Sequence, residues 1–281
     1  MGNEEKYIEL INRAKDYYEG HSPEICNLRT GDTIFDLEWC PQLTDEINFW
    51  TYWHGRGNLD TTEILLVGQD FGAYRMGNVV SPMLVECIGL DKEASTERYV
   101  AEIRKDKQNK TDQNLIELFY ELGEDYNAGT YNEKLFFTNL CLGYRSVEKI
   151  SGGDVCSQMK HDSIYLKALV DILKPKVVIC LGADTFASAL TGLSEGETNK
   201  DDIRRVWSNF YDSIHDDSNH FTMKRNWGRY EIFGFGHTGH YGVINRNKYE
   251  FQIPGRKENP EYLKDKLTYM RDDWRHVKEY L

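Results

Sequence analysis

The chain has 281 residues, 40 % of them hydrophobic and 13 % aromatic, enough apolar material for a sizeable core and too much for general disorder. No apolar run reaches the ~20 residues of a membrane-spanning helix, so no membrane role is expected. A formal net charge of −12 repels a polyanion at long range, which weighs against a duplex-DNA partner unless a local basic groove exists.

Residues 1–18 are charged and helical in pattern, with no signal-peptide core; Tyr7, Ile11, Ala14 and Tyr18 share a face, and Gly20 stands where the helix should end. The stretch from Phe35 to Trp53 gathers Trp39, Phe49, Trp50 and Trp53, a cluster whose ordinary use is core packing. Four short apolar runs come next and predict buried strands: Ile64 to Val67, Leu135 to Thr138, Val177 to Leu181 and Tyr230 to Phe235. Helical patterns separate them, with Leu115, Phe119 and Leu122 before Gly123, and Leu166, Leu169, Val170 and Leu173 before Pro175. Ser194 to Asp202 predicts a loop and Ile203 to Ile214 a short helix. Leu263, Leu267, Met270, Trp274, Val277 and Leu281 recur at steps of four and three, which predicts an amphipathic helix used for core packing or for an oligomer contact. The expectation is one α/β domain over 1–281. It is a three-layer sandwich with a central four-stranded parallel sheet flanked by helices, an N-terminal helical and aromatic segment (1–60) and a C-terminal helix (258–281).

Six cysteines, at 26, 40, 87, 141, 156 and 180, form no Cys-x-x-Cys pair; that usage fits free thiols in a reducing cytoplasm.

In open α/β sheets ligands bind beyond the carboxyl ends of the strands, so the residues just after each run matter most. Gly68-Gln69-Asp70-Phe71-Gly72-Ala73-Tyr74-Arg75 comes after the first, Asn139 and then Arg145 after the second, Gly182-Ala183-Asp184-Thr185 after the third, and Gly236-His237-Thr238-Gly239-His240-Tyr241-Gly242 after the fourth. An acid, an amide and two histidines are thereby assigned to one edge.

These residues resemble the uracil-DNA glycosylase superfamily. The chain reads G-Q-D-F-G at Gly68 to Gly72 against a family motif G-Q-D-P-Y or G-x-x-P-G. It reads F-F-T-N-L at Phe136 to Leu140, K-P-K-V-V-I-C-L-G at Lys174 to Gly182, and G-H-T-G-H at Gly236 to His240 against H-P-S-P. The resemblance spans roughly residues 60 to 250. It implies that Asp70 orients water and faces a cationic sugar, and that His237 donates toward the carbonyl of a leaving base. It further implies that Asn139 reads the base edge, that Gln69 offers a main-chain contact, that Phe71 or Tyr74 stacks on the base, and that His240 joins the pocket. Arg75, Arg145 and Arg246, each beyond a different strand-end motif, are expected to bind phosphate.

The departures shape the expectation. Phe71 replaces the family proline, and Gly72 replaces a tyrosine that excludes the thymine methyl, so the site should admit bases larger than uracil. The second motif lacks its proline and serine. Cys26 and Cys40 are too far apart for an iron–sulfur site, and Ser163 stands where a fourth ligand would fall. His237, His240 and Asp70 make a weak metal set because their loop fixes no geometry, and there is neither a Walker lysine nor a full G-x-G-x-x-G; no metal or cofactor is expected. Two functions remain. One is a hydrolase that cleaves the N-glycosidic bond of uracil or a related damaged base; the other is a non-catalytic module that binds a nucleobase, a nucleotide or single-stranded nucleic acid. In both, DNA is expected as a single strand in preference to a duplex. Structural uses also stand open: Asp70 as a helix cap, Asn139 as a partner of loop backbone, His237 as a buried core histidine.

Overall fold

The computed structural model describes residues 2–20, 37–39, 49, 57–71, 91–106, 110–145, 156–194, 198–252 and 265–281. In chain order its strands are β1 (Leu37–Glu38), β2 (Ile64–Gly68), β3 (Leu135–Asn139), β4 (Tyr144–Arg145), β5 (Val177–Leu181), β6 (His220–Arg225) and β7 (Gly228–Phe235). Its α-helices are α1 (Asn3–Tyr18), α2 (Lys92–Lys105), α3 (Lys110–Phe119), α4 (Cys156–Leu173), α5 (Ala183–Leu193), α6 (Lys200–Ser208), α7 (Phe210–His215), α8 (His240–Gln252) and α9 (Thr268–Arg275).

All four apolar runs are strands, and they pair in parallel in the order β3-β2-β5-β7. The sheet nevertheless has five strands, because β6 pairs antiparallel with the outer side of β7. The expected four-stranded parallel sheet is thus the parallel part of a mixed one. β6 (HFTMKR) buries only Met223 along its length, so it carries no apolar run for a sequence reading to find; a two-residue turn at Asn226 and Trp227 brings it back against β7. The small β1–β4 pair stands apart from the main sheet.

Successive strand residues point to opposite faces, and two cores result from that alternation. Leu65, Val67, Phe136, Val178, Cys180 and Ile232 face α1, α4, α5, α6 and α7. Ile64, Leu66, Phe137, Val177, Ile179 and Phe235 face α2, α3, α8 and α9. Each buried aliphatic contributes about 1.5–3 kcal/mol, and both faces are covered, which is why these strands read as unbroken apolar runs. Tyr7, Ile11 and Ala14 are buried as expected; Gly20 comes just after α1 at φ 80°. Trp39 and Phe49 are buried and pack edge-on or tilted against Tyr7 and Tyr18.

Two segments differ from expectation. Helix begins at Lys200, capped by the Asn199 side chain, earlier than Ile203, and it breaks at Asn209 into α6 and α7. At the carboxyl end, residues 265–267 form a turn, α9 starts at Thr268, and His276–Tyr280 continues as 3-10 helix; residues 258–264 lie outside the described set. Leu267, Met270, Trp274 and Val277 are buried in the second core, Trp274 between Phe235 and Phe119. Those four positions of the stripe are spent on packing inside the chain, the first of its two expected uses. Cys141 and Cys180 are buried and in no disulfide. Among the described residues no helix is long and apolar enough to cross a membrane.

Candidate functional site

The parallel strands deliver their carboxyl ends to one edge. Gly68 and Asn139 are register partners at the ends of β2 and β3. The Asn139 side-chain oxygen lies 2.1 Å from where a Cβ on Gly68 would stand, so the amide crosses the strand end only because the residue opposite is glycine. Pairing runs past the strands: the N–H groups of Leu140 and Cys141 donate to the carbonyls of Gly68 and Gln69 at 2.8 and 2.9 Å. That fixes Gln69 and Asp70 beside the loop after β3, and Gln69 Nε2 donates to Asp70 Oδ2 at 3.0 Å. Phe71 stacks on Tyr144 with centroids 4.8 Å apart, so one of its faces is already used within the protein.

The loop after Asn139 is held from behind by Asp162 on α4. This fully buried carboxylate accepts from the Leu142 N–H at 3.1 Å, from Gln158 Nε2 at 2.8 Å and from the Tyr18 hydroxyl, with His161 Nδ1 at 2.9 Å. Burial, then the Asp162 charge, pushes the Tyr18 phenol well above its ordinary pKa, which keeps it a proton donor. None of these residues stood out in the sequence as a site residue.

The loop from β7 to α8 carries His237. The backbone N–H of Gly239 donates to His237 Nδ1 at 3.0 Å. An Nδ1 that accepts cannot carry the proton, so neutral His237 bears it on Nε2. The residue is exposed at the mouth of a cleft, yet protein crowds the ring. Burial lowers its pKa from the ordinary histidine value, and the Asp70 carboxylate raises part of it back, so acid and imidazole sense each other across the site. Two bonds from α3 clamp the loop: Asn114 Nδ2 to the Thr238 carbonyl at 2.7 Å, and Thr238 Oγ1 to the Thr111 carbonyl at 3.1 Å. Gly242, in the first turn of α8, lies so close beneath that an added Cβ would stand 1.8 Å from the His237 carbonyl oxygen. Gly242 therefore serves close backbone approach, whereas a Cβ on Gly239 would press on the His237 ring and the Thr111 hydroxyl at 2.9 Å.

His237 and His240 line a cleft of about 1020 Å³ that extends to α6 and α7, walled by Trp207, Tyr211, Asp212 and Tyr249. The sequence reading missed this wall, since Trp207 sits on the polar face of a short helix. Trp207 Nε1 donates to Asp184 Oδ1 at 2.6 Å, and the Tyr249 hydroxyl donates to Asp212. Burial, then Asp212, Asp216 and Glu250, pushes the Tyr249 phenol up to about 12.

Arg246 does not line the cleft. It is buried, with two guanidinium nitrogens on Asp273 at 2.8 Å each and a third on Glu250. A guanidinium committed to two buried carboxylates has no fork left for phosphate, so the expected phosphate contact is replaced by an ion-paired link between α8 and α9. Gly72, Tyr74 and Arg75 lie outside the described residues, as does the side chain of Arg145. Among the described residues no three His, Cys, Asp or Glu side chains are grouped to hold a metal ion. No protein-family model matches the chain, and no curated protein matches it.

Proposed function

We propose that the chain is a divergent uracil-DNA glycosylase-like hydrolase that cleaves the N-glycosidic bond of uracil or a related base. His237 carries the reading: its tautomer is set by the Gly239 N–H, which leaves an Nε2–H donor pointed away from that bond, and the Asp70 carboxylate acts on the ring through its charge. In the reaction the C1′–N bond breaks and its electron pair leaves with the base. The Nε2–H donates to the base carbonyl on which that charge gathers, a preorganised donor in a crowded site. Asp70 faces the cationic sugar and orients the water whose oxygen bonds to C1′; the water's proton ends on the base. Asn139 supplies a donor and an acceptor for the base edge.

Incubation with uracil-containing single- and double-stranded oligonucleotides, and then alkaline cleavage, tests the reading. Asp70→Asn keeps the packing and removes the charge; it should lower excision by about 10²–10⁴-fold while the unfolding midpoint stays near that of the parent. Undiminished excision in that variant rules out the role given to Asp70. A second reading, a non-catalytic module for a nucleobase, nucleotide or single strand, is favoured by the Gln69 amide that already occupies one Asp70 oxygen. Binding without release of base would establish it.

A further inference from the structure

We propose that the lobe of the cleft between His237 and α6–α7 takes an unphosphorylated nucleoside, stacked on Trp207, so that the substrate is a free nucleoside in preference to a nucleic-acid strand. This rests on the reading of His237 and Asp70 as N-glycosidic machinery and adds the carrier of the base.

Two features point to a ligand, and they are independent. The first is aromatic. Among the described large hydrophobic side chains, Tyr241 (79 % exposed) and Trp207 (51 % exposed) are the most open to solvent, and both line this one cleft. An indole left in water forgoes the stabilisation of burial, and Trp207 is not left loose: the Asp184 bond at 2.6 Å holds it by its ring edge, a contact that uses neither π-face. Tyr211 and Tyr249, stacked 6.1 Å apart, continue the wall. Stacking suits any base, because every base has a π-face.

The second feature is charge. Asp212 lines the cleft and Asp184 stands behind Trp207, while no lysine or arginine is among the described lining residues. Arg246, on α8, is neutralised by Asp273 and Glu250. Burial first raises the Tyr249 phenol pKa, and the Asp212, Asp216 and Glu250 carboxylates around it add to the rise. A phosphate entering here meets carboxylates, whereas a neutral base and sugar do not. The volume of about 1020 Å³ sits at the upper end of small-molecule sites, with room for base and sugar together. The chemistry balances without a further reactant: nucleoside and water give free base and free sugar, with the water's hydroxyl on C1′ and its proton on the base.

Calorimetric titration of the full chain with uridine, 2′-deoxyuridine and inosine, their 5′-monophosphates, and a deoxyuridine-containing single strand tests this, with base release monitored by chromatography. At least one nucleoside should bind, its 5′-monophosphate at least tenfold more weakly, and the nucleoside affinity should not change with salt. Trp207→Ala should weaken nucleoside binding about 5- to 150-fold, Trp207→Phe should restore most of it, and Asp212→Asn should narrow the gap to the monophosphate. Monophosphate or oligonucleotide bound as tightly as nucleoside, no nucleoside bound, or Trp207→Ala without effect in a chain of unchanged circular dichroism would each overturn the proposal. Nucleoside binding without hydrolysis refutes the hydrolase reading and leaves the subsite; excision from oligonucleotides without nucleoside binding does the reverse.

Discussion

Gly242→Ala puts the construction of the His237 loop to the test with one methyl group. The new Cβ would stand 1.8 Å from the His237 carbonyl oxygen, 2.7 Å from its carbonyl carbon and 3.1 Å from its Cα. These are backbone atoms, so no side chain can rotate out of the way. Ordinary contact would require the two segments to part by more than about 1 Å, and such overpacking in a fitted interior costs about 1–3 kcal/mol. The loop has little slack, because Thr238 is bonded to both Thr111 and Asn114 and the Val243 N–H is bonded to the Gly239 carbonyl. Strain should therefore pass to His237 itself. A displacement of about 1 Å at a reacting group costs on the order of 10²-fold in rate. Urea unfolding should show the modest loss of stability, and base release or ligand titration the far larger loss of function. A variant with parental stability and parental activity would refute the account of this loop.

Three further outcomes are expected. Arg246→Ala strands Glu250 and Asp273 without their cation and should cost about 3–5 kcal/mol by urea denaturation; a loss under about 1 kcal/mol would mean that the pair is not buried as described. Trp274→Ala, at a position with 0 % exposure, should cost a similar ~3–5 kcal/mol by thermal melting while activity per folded molecule is kept, since Trp274 packs on the sheet face away from Trp207. The depressed pKa of His237 gives a pH signature: above the ordinary value of ~6.5 the ring is neutral folded and unfolded and contributes nothing. As pH falls through that value the unfolded chain takes up a proton that the folded site resists, so stability drops until the folded pKa is passed. His237→Gln should flatten that part of an unfolding-midpoint series; an unchanged slope would place the proton uptake elsewhere.

The four parallel strands were legible because each is covered on both faces, so every residue from Ile64 to Val67 or from Val177 to Leu181 had to be apolar. The strand-end loops were legible for the complementary reason: glycines and polar residues break those runs abruptly at Gly68, Asn139, Gly182 and Gly236. β6 was not, since an edge strand with one buried residue looks like surface. Nor was the fate of Arg246. Glu250 at i+4 was visible in the sequence, but Asp273 arrives from α9, and only the packing of α9 beneath the sheet turns a helix arginine into a buried tie. The Trp207 wall was hidden in the same way, by depending on how α6 and α7 lie against the β7–α8 loop.

β6 also has a bearing on how these molecules behave together in concentrated solution. Without it, β7 would end the sheet with the run Ile232 to Phe235 presenting unpaired amides and carbonyls, a long apolar edge of the kind that recruits other chains into shared sheets. The hairpin places instead an outer strand with Thr222 and Lys224 exposed, and a lysine on an outermost strand disfavours edge-to-edge pairing with another copy. A strand that adds one residue to the core thus protects the β7 side of the sheet from self-association.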